Sequence, residues 1–129
     1  MKLVALVDDD SIFQFTATRL IESAQLAKEI LHFENGNEAL QYLEKNSANS
    51  DLLPDFLFLD INMPIVDGWM FLEDFEKLKT KLAKEFPIYM VSSSIDPRDM
   101  SRAKEFVEVK DFVVKPVTIE RFTELLDAN

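Results

Sequence analysis

Five short apolar runs recur along the chain: Leu3 to Val7, Ile30 to Phe33, Phe56 to Leu59, Ile88 to Val91, and Phe112 to Val114. Each has the length of a strand. Between and after them, apolar and small residues fall at helical spacing, first as Ile12, Phe13, Thr16, Ala17, Leu20, Ile21 and Ala24, then as Ala39, Leu40 and Leu43. The pattern continues with Phe71, Leu72, Phe75, Leu78 and Leu82, with Met100, Ala103 and Phe106, and with Ile119, Phe122, Leu125 and Leu126. Strand and helix therefore alternate five times. Start signals fall at the same boundaries: Asp10 before Ser11, Asn35 with Glu38 as a capping pair, Asp96 before Pro97 at the first helical position, and Thr118 before the last helix. Continuous apolar runs separated by helices predict a parallel α/β sheet covered on both faces, because parallel strands require crossover connections. The polar stretch from Asn46 to Pro54 reads as a loop, and the charge-rich stretch from Glu73 to Glu85 as a solvated helix face with Glu73 and Lys77 paired.

Composition narrows the function classes. The length of 129 residues predicts a single domain over 1–129, with no appended output domain. A formal net charge of −10 disfavours direct contact with nucleic acid or an anionic membrane surface. The absence of cysteine removes disulfides, thiolate nucleophiles and cysteine-ligated metals, and fits a reducing, cytoplasmic setting. Leu3 to Val7 is too short for a signal peptide or a membrane span. With Gly36 and Gly68 the only glycines, a glycine-rich phosphate loop has no support.

Four of the five apolar runs end on a residue able to do chemistry: Asp8 and Asp9 after the first, Asp60 after the third, Ser92 after the fourth, and Lys115 after the fifth. In an open parallel sheet all strand carboxyl ends share one edge, so these distant residues are expected to converge there. Three carboxylates in one place repel one another, and a divalent cation relieves that repulsion. An oxygen-only donor set suits Mg²⁺, which retains waters and takes one or two carboxylates, a carbonyl and a phosphate oxygen. A carboxylate beside such an ion can attack phosphorus to give an aspartyl-phosphate. Lys115 and the Ser92 hydroxyl could then contact the phosphoryl oxygens.

The segment DFLFLDINMPIVDGW, with LVDDD before it, MVSSS after it and FVVKP near the end, resembles the receiver domain of bacterial two-component response regulators over essentially the whole chain. The resemblance implies a flavodoxin-like (βα)5 doubly wound fold, three layers α/β/α, with strand order 2-1-3-4-5. It implies Asp60 as phosphoacceptor, Asp8 and Asp9 as the acidic pair holding Mg²⁺, and Asn62 as the position whose backbone carbonyl completes the metal shell. It also implies Ser92 and Phe112 as the switch positions, and Lys115 as the conserved lysine. Phe112 lacks the hydroxyl of a tyrosine, and Ser93 stands where the family often has Ala or Gly. Asn62 and Ser94 occupy positions at which the family tunes dephosphorylation.

The function so implied is a phosphorylation-dependent switch rather than an enzyme. Its donor would be a histidine kinase or a histidine phosphotransfer protein, and its output a separate downstream protein, with the chain a monomer or a phosphorylation-dependent dimer. The face involved would run over Asp96 to Phe106, Phe112 to Lys115 and Thr118 to Asp127. Two other classes compete. Asp8 and Asp10 form a D-x-D after a first strand, as in haloacid-dehalogenase-like phosphatases, which would phosphorylate Asp8. A receiver-fold interaction module that is never phosphorylated is the other. Read alone, Asp8 and Asp9 serve equally as helix caps, Asp67 with Gly68 and Pro64 as turn formers, His32 as a surface or strand residue, and Trp69 as packing near the site.

Overall fold

The computed structural model describes residues 2–93 and 96–127. Five strands, β1 (Leu3–Val7), β2 (Glu29–Phe33), β3 (Phe56–Asp60), β4 (Ile88–Ser92) and β5 (Val109–Val114), alternate with helices α1 (Ser11–Ser23), α2 (Gly36–Lys45), α3 (Gly68–Leu78), α4 (Pro97–Ala103) and α5 (Ile119–Asp127). All pairings are parallel, and the strands lie in the order β2-β1-β3-β4-β5. The fold is the flavodoxin-like arrangement expected from the sequence.

Side-chain alternation along each strand builds two cores. Ala5, Val7, Leu57, Leu59, Ile88 and Met90 face one way, against Ala39 and Leu43 of α2, Phe71, Leu72 and Phe75 of α3, and Ala103 of α4. Val4, Leu6, Phe56, Phe58, Tyr89 and Val91 face the other way, against Ala17 and Ile21 of α1 and Phe122, Leu125 and Leu126 of α5. The result is a three-layer α/β/α sandwich. β1, β3 and β4 are buried along their whole length, whereas β2 and β5, at the sheet edges, are partly exposed. Each large side chain fully buried here contributes about 1.5–3 kcal/mol, and Phe58, Phe71 and Phe122 are among them.

The start signals act as expected. Asp10 caps α1 by accepting from Ile12 and Phe13 N–H, Asn35 caps α2 through Glu38 N–H, Asp96 caps α4 with Pro97 inside, and Arg121 N–H donates to Thr118 Oγ1 at the start of α5. Asp67 is the cap of α3.

Three boundaries differ from the pattern by more than one residue. β5 begins at Val109, three residues before Phe112, and a register shift accompanies it at Ile88 and Tyr89. α3 stops at Leu78 and tightens into a 3₁₀ turn over Lys79–Lys81, with Leu82 N–H bonded to Lys79 C=O, so Leu82 lies outside the helix. α4 stops at Ala103 because Glu105 and Phe106 N–H bond three residues back, to Arg102 and Ala103 C=O. The Glu73–Lys77 pair is not among the ion pairs of the described residues; the ion pairs in this region are made by Lys79, 3.1 Å from Glu76 and 2.7 Å from Glu108, and by Lys84, 2.8 Å from Asp55. Among the described residues no helix is long and apolar enough to cross a membrane.

Candidate functional site

Because every strand runs the same way, the carboxyl ends of β1, β3, β4 and β5 reach a common edge. Asp8 follows β1 and is 1% exposed, Asp60 ends β3 at 7%, and Ser92 ends β4 at 1%. One carboxylate oxygen from each of Asp8, Asp9 and Asp60 lies within 4.8 Å of the others. Lys115 Nζ stands 2.8 Å from Asp8 Oδ2 and 3.8 Å from Asp60 Oδ1. Sequence positions as far apart as 8 and 115 are thus brought into contact, as the topology requires.

Local bonds hold each group in place. Asp8 Oδ1 accepts from Asp10 N–H at 2.8 Å, while Asp8 N–H donates to Phe33 C=O at 3.0 Å on the neighbouring strand. Lys115 N–H donates to Ser92 C=O at 2.8 Å, which ties the end of β5 to the end of β4. The Lys115–Pro116 bond is cis. The Lys115 ammonium also lies 4.5 Å above the ring of Phe13, a cation–π contact that leaves its charge near the carboxylates. Phe13, Ser93, Lys115, Pro116 and Val117 share a cavity of about 360 Å³ beside this edge.

The electrostatics are dominated by the carboxylates. Burial, and then the charge of Asp8, push Asp60 up to about 7, against the opposing pull of Lys115 and of Ile61 N–H, with Asp9 adding to the rise. Three carboxylates against one ammonium leave formal charge to be neutralised. Asp8 Oδ2 is buried and meets Lys115 as a charge contact without a directed hydrogen bond. An acceptor with open lone pairs in an all-oxygen cluster fits a hard divalent cation such as Mg²⁺.

The other expected positions are not among the three clustered carboxylates. Asn62 is exposed, two residues beyond Asp60. Phe112 is half-buried and packs on the core shared by α2, α3 and α4, and Ser94 lies outside the described residues. His32 is exposed on β2, with Nε2 2.8 Å from Thr18 Oγ1. Trp69 is buried, stacks on Phe106 and carries the Arg102 guanidinium 4.4 Å above its ring.

Three further residues belong to the site and were not singled out by strand-end reasoning. Gly68 approaches β3 so closely that a Cβ on it would meet Asp60 C=O at 2.5 Å, and its N–H donates to Ile61 C=O at 2.8 Å. The Asp-Gly dipeptide signals the turn but not this contact. Phe13 was legible only as an apolar helix position. Gln14, a polar residue within the apolar pattern of α1, donates to Asp8 C=O. In the loop between β3 and α3, Ile65 is 74% exposed and holds a left-handed backbone at φ 68°, a conformation costly for a β-branched side chain.

Known proteins share this architecture. The chain is 25% identical over 118 residues to the probable methanogenesis regulatory protein FilR2 of Methanothrix harundinacea, covering 92% of this chain and 74% of that protein. It is 27% identical over 124 residues to the sensor histidine kinase CheAY of Helicobacter pylori, of whose length it spans 14%. A two-component response regulator from Cytophaga hutchinsonii superposes with a TM-score of 0.83 at 31% identity, covering 98% of this chain and 94% of that one. Residues 4–127 match the family described as response regulator receiver domain. With the parallel 2-1-3-4-5 sheet and the acidic edge that these residues form, the chain belongs to the response regulator receiver domain family.

Proposed function

We propose that the chain is a phosphorylation-dependent switch whose phosphoacceptor is Asp60. The observation that carries this reading is a buried aspartate flanked by two further carboxylates and a lysine at the carboxyl edge of a parallel sheet. Asp8, Asp9, Asp60 and the backbone carbonyl of Asn62 would hold Mg²⁺. When bound, the ion supplies the positive charge that offsets the carboxylates and an incoming phosphoryl group. An Asp60 carboxylate oxygen attacks phosphorus, the bond from phosphorus to the donor nitrogen of a phosphohistidine breaks, and its electron pair stays on that nitrogen. Lys115 and the Ser92 hydroxyl bind the transferred oxygens as a point charge and a hydrogen-bond donor. Charge held at Lys115, 2.8 Å from Asp8, is already pre-organised for this role.

The donor is a histidine kinase or a histidine phosphotransfer protein. Ser92 drawn towards the phosphoryl group, and Phe112 turning inward after it, would reshape the surface of α4, β5 and α5, which then binds a separate protein. The charge of −10 supports a protein partner over nucleic acid for that surface, and the setting proposed is the cytoplasm.

The test is incubation with acetyl phosphate and Mg²⁺, read by intact mass, for the natural chain, Asp60→Asn and Asp8→Asn. A gain of one phosphoryl group that is lost in Asp60→Asn supports the assignment. Retention of the adduct in Asp60→Asn with loss in Asp8→Asn would overturn it in favour of chemistry at Asp8.

A further inference from the structure

We infer that Gln14 is a positioning residue for the acidic site, fixing the backbone of Asp8 from the helix side. The inference rests on the proposed binding of a divalent cation by Asp8, Asp9 and Asp60. Gln14 Nε2 donates to three carbonyls at once: Leu6 at 3.1 Å, Asp8 at 3.1 Å and Phe33 at 3.2 Å. These belong to the end of β1, the first residue beyond it, and the end of β2. Three carbonyl dipoles pointing at one spot repel one another, and one amide with two hydrogens draws them together.

The orientation of that amide is determined by its surroundings. Reversed, Gln14 Oε1 would face three acceptors and no donor. As it stands, Oε1 is buried with no hydrogen-bond partner. A buried unsatisfied acceptor is a cost that an apolar residue at this point of α1 would avoid. What the amide provides in return is the placement of its NH₂ group. With Asp8 N–H bonded to Phe33 C=O, the Gln14 amide locks the other side of the same residue. The two peptide planes that meet at Asp8 Cα are therefore held, the preceding one by β2 and the following one by α1. Its carboxylate is also the one that Asp10 N–H and Lys115 grip. Freeing the backbone lets the first carboxylate drift relative to Asp9 and Asp60, and a cation that needs near-ideal octahedral geometry is sensitive to such drift.

The test uses Gln14→Met, which keeps length and loses both donors, and Gln14→Glu, which keeps shape and replaces the donor by an acceptor. Two quantities are read by NMR on the folded protein: the Mg²⁺ dissociation constant from amide shifts, and backbone amide exchange in the metal-free state. Both variants are expected to weaken Mg²⁺ binding by about tenfold or more. They are also expected to speed exchange at Asp8 and Asp10 by about tenfold, while Ala17 and Ile21 in the body of α1 change by less than about twofold. Mg²⁺ affinity within about twofold of the natural chain, or equal acceleration at Ala17 and Ile21, would overturn the inference and leave Gln14 as ordinary packing. If the natural chain itself shows no Mg²⁺ response, the cation-binding proposal fails separately, and exchange at Asp8 and Asp10 decides the role of Gln14.

Discussion

Removing the charge of the proposed phosphoacceptor is expected to stabilise the metal-free protein. Asp60 is pushed up to about 7, from an ordinary value of 3.8, first by burial and then by Asp8. Between these two values the native state holds a proton that the unfolded chain has released, so stability falls as pH rises through the interval. The contribution is most favourable below 3.8, is lost progressively, and reaches its full unfavourable size above 7. The gap corresponds to about 4 kcal/mol if Asp60 titrates against a rigid surround. Asp8, Asp9 and Lys115 adjust to the same charge and water reaches the edge, so about 2 kcal/mol is the expected net effect at pH 8.

Asp60→Asn keeps the shape of the side chain and deletes the charge. In EDTA at pH 8 the variant is expected to melt roughly 4–10 °C above the natural chain, the shift that about 2 kcal/mol produces in a domain of this size. At pH 5 the difference should be smaller, because there part of the native aspartate holds its proton and the unfavourable contribution is not yet complete. Added Mg²⁺ should then raise the natural chain more than the variant, closing the gap. Thermal unfolding followed by circular dichroism at both pH values, with and without Mg²⁺, makes the comparison. A variant no more stable than the natural chain at pH 8 in EDTA, or a difference independent of pH, would refute the electrostatic account of this edge.

Other perturbations probe separate parts of the site. Asp9→Ala should abolish the rise in melting temperature that Mg²⁺ gives the natural chain, which is worth about 1.4 kcal/mol at ten times the dissociation constant; an undiminished rise would remove Asp9 from the metal shell. Gly68→Ala should destabilise by about 2–4 kcal/mol in urea and reduce labelling by acetyl phosphate, because the new Cβ would stand 2.5 Å from Asp60 C=O and 2.9 Å from Ile61 Cα. Ile65→Asn should stabilise by about 0.5–1 kcal/mol with Mg²⁺ affinity unchanged, since Asn accepts the left-handed backbone and the lost side chain is 74% exposed; a loss of stability in the same urea titration would show that Ile65 makes packing its exposure conceals.

The chemistry of the edge could be read from the sequence because its placement depends on topology alone. Once five apolar runs alternate with helices, the residues after the runs must gather, and Asp8, Asp60, Ser92 and Lys115 need no knowledge of any side-chain contact to be found. The limits of that logic show where the pattern is diluted. Val109, Lys110 and Asp111 form the first half of β5 on the sheet edge, where two of the three are exposed, so an apolar-run criterion sees only the continuous apolar half from Phe112 to Val114. Leu82 and Phe106 keep helical spacing yet pack on the core from turns, since burial constrains a side chain more than it constrains the backbone carrying it. Gln14 and Gly68 were invisible as site residues for a different reason. Both act on the backbone of the site: Gln14 through three carbonyls and Gly68 through the absence of a Cβ beside Asp60 C=O. Such contacts leave no periodicity and no charge pattern. The groups proposed to do the chemistry are therefore announced by residue type at strand ends, whereas the groups that hold those ends in register emerge only when helix and loop are placed against them in space.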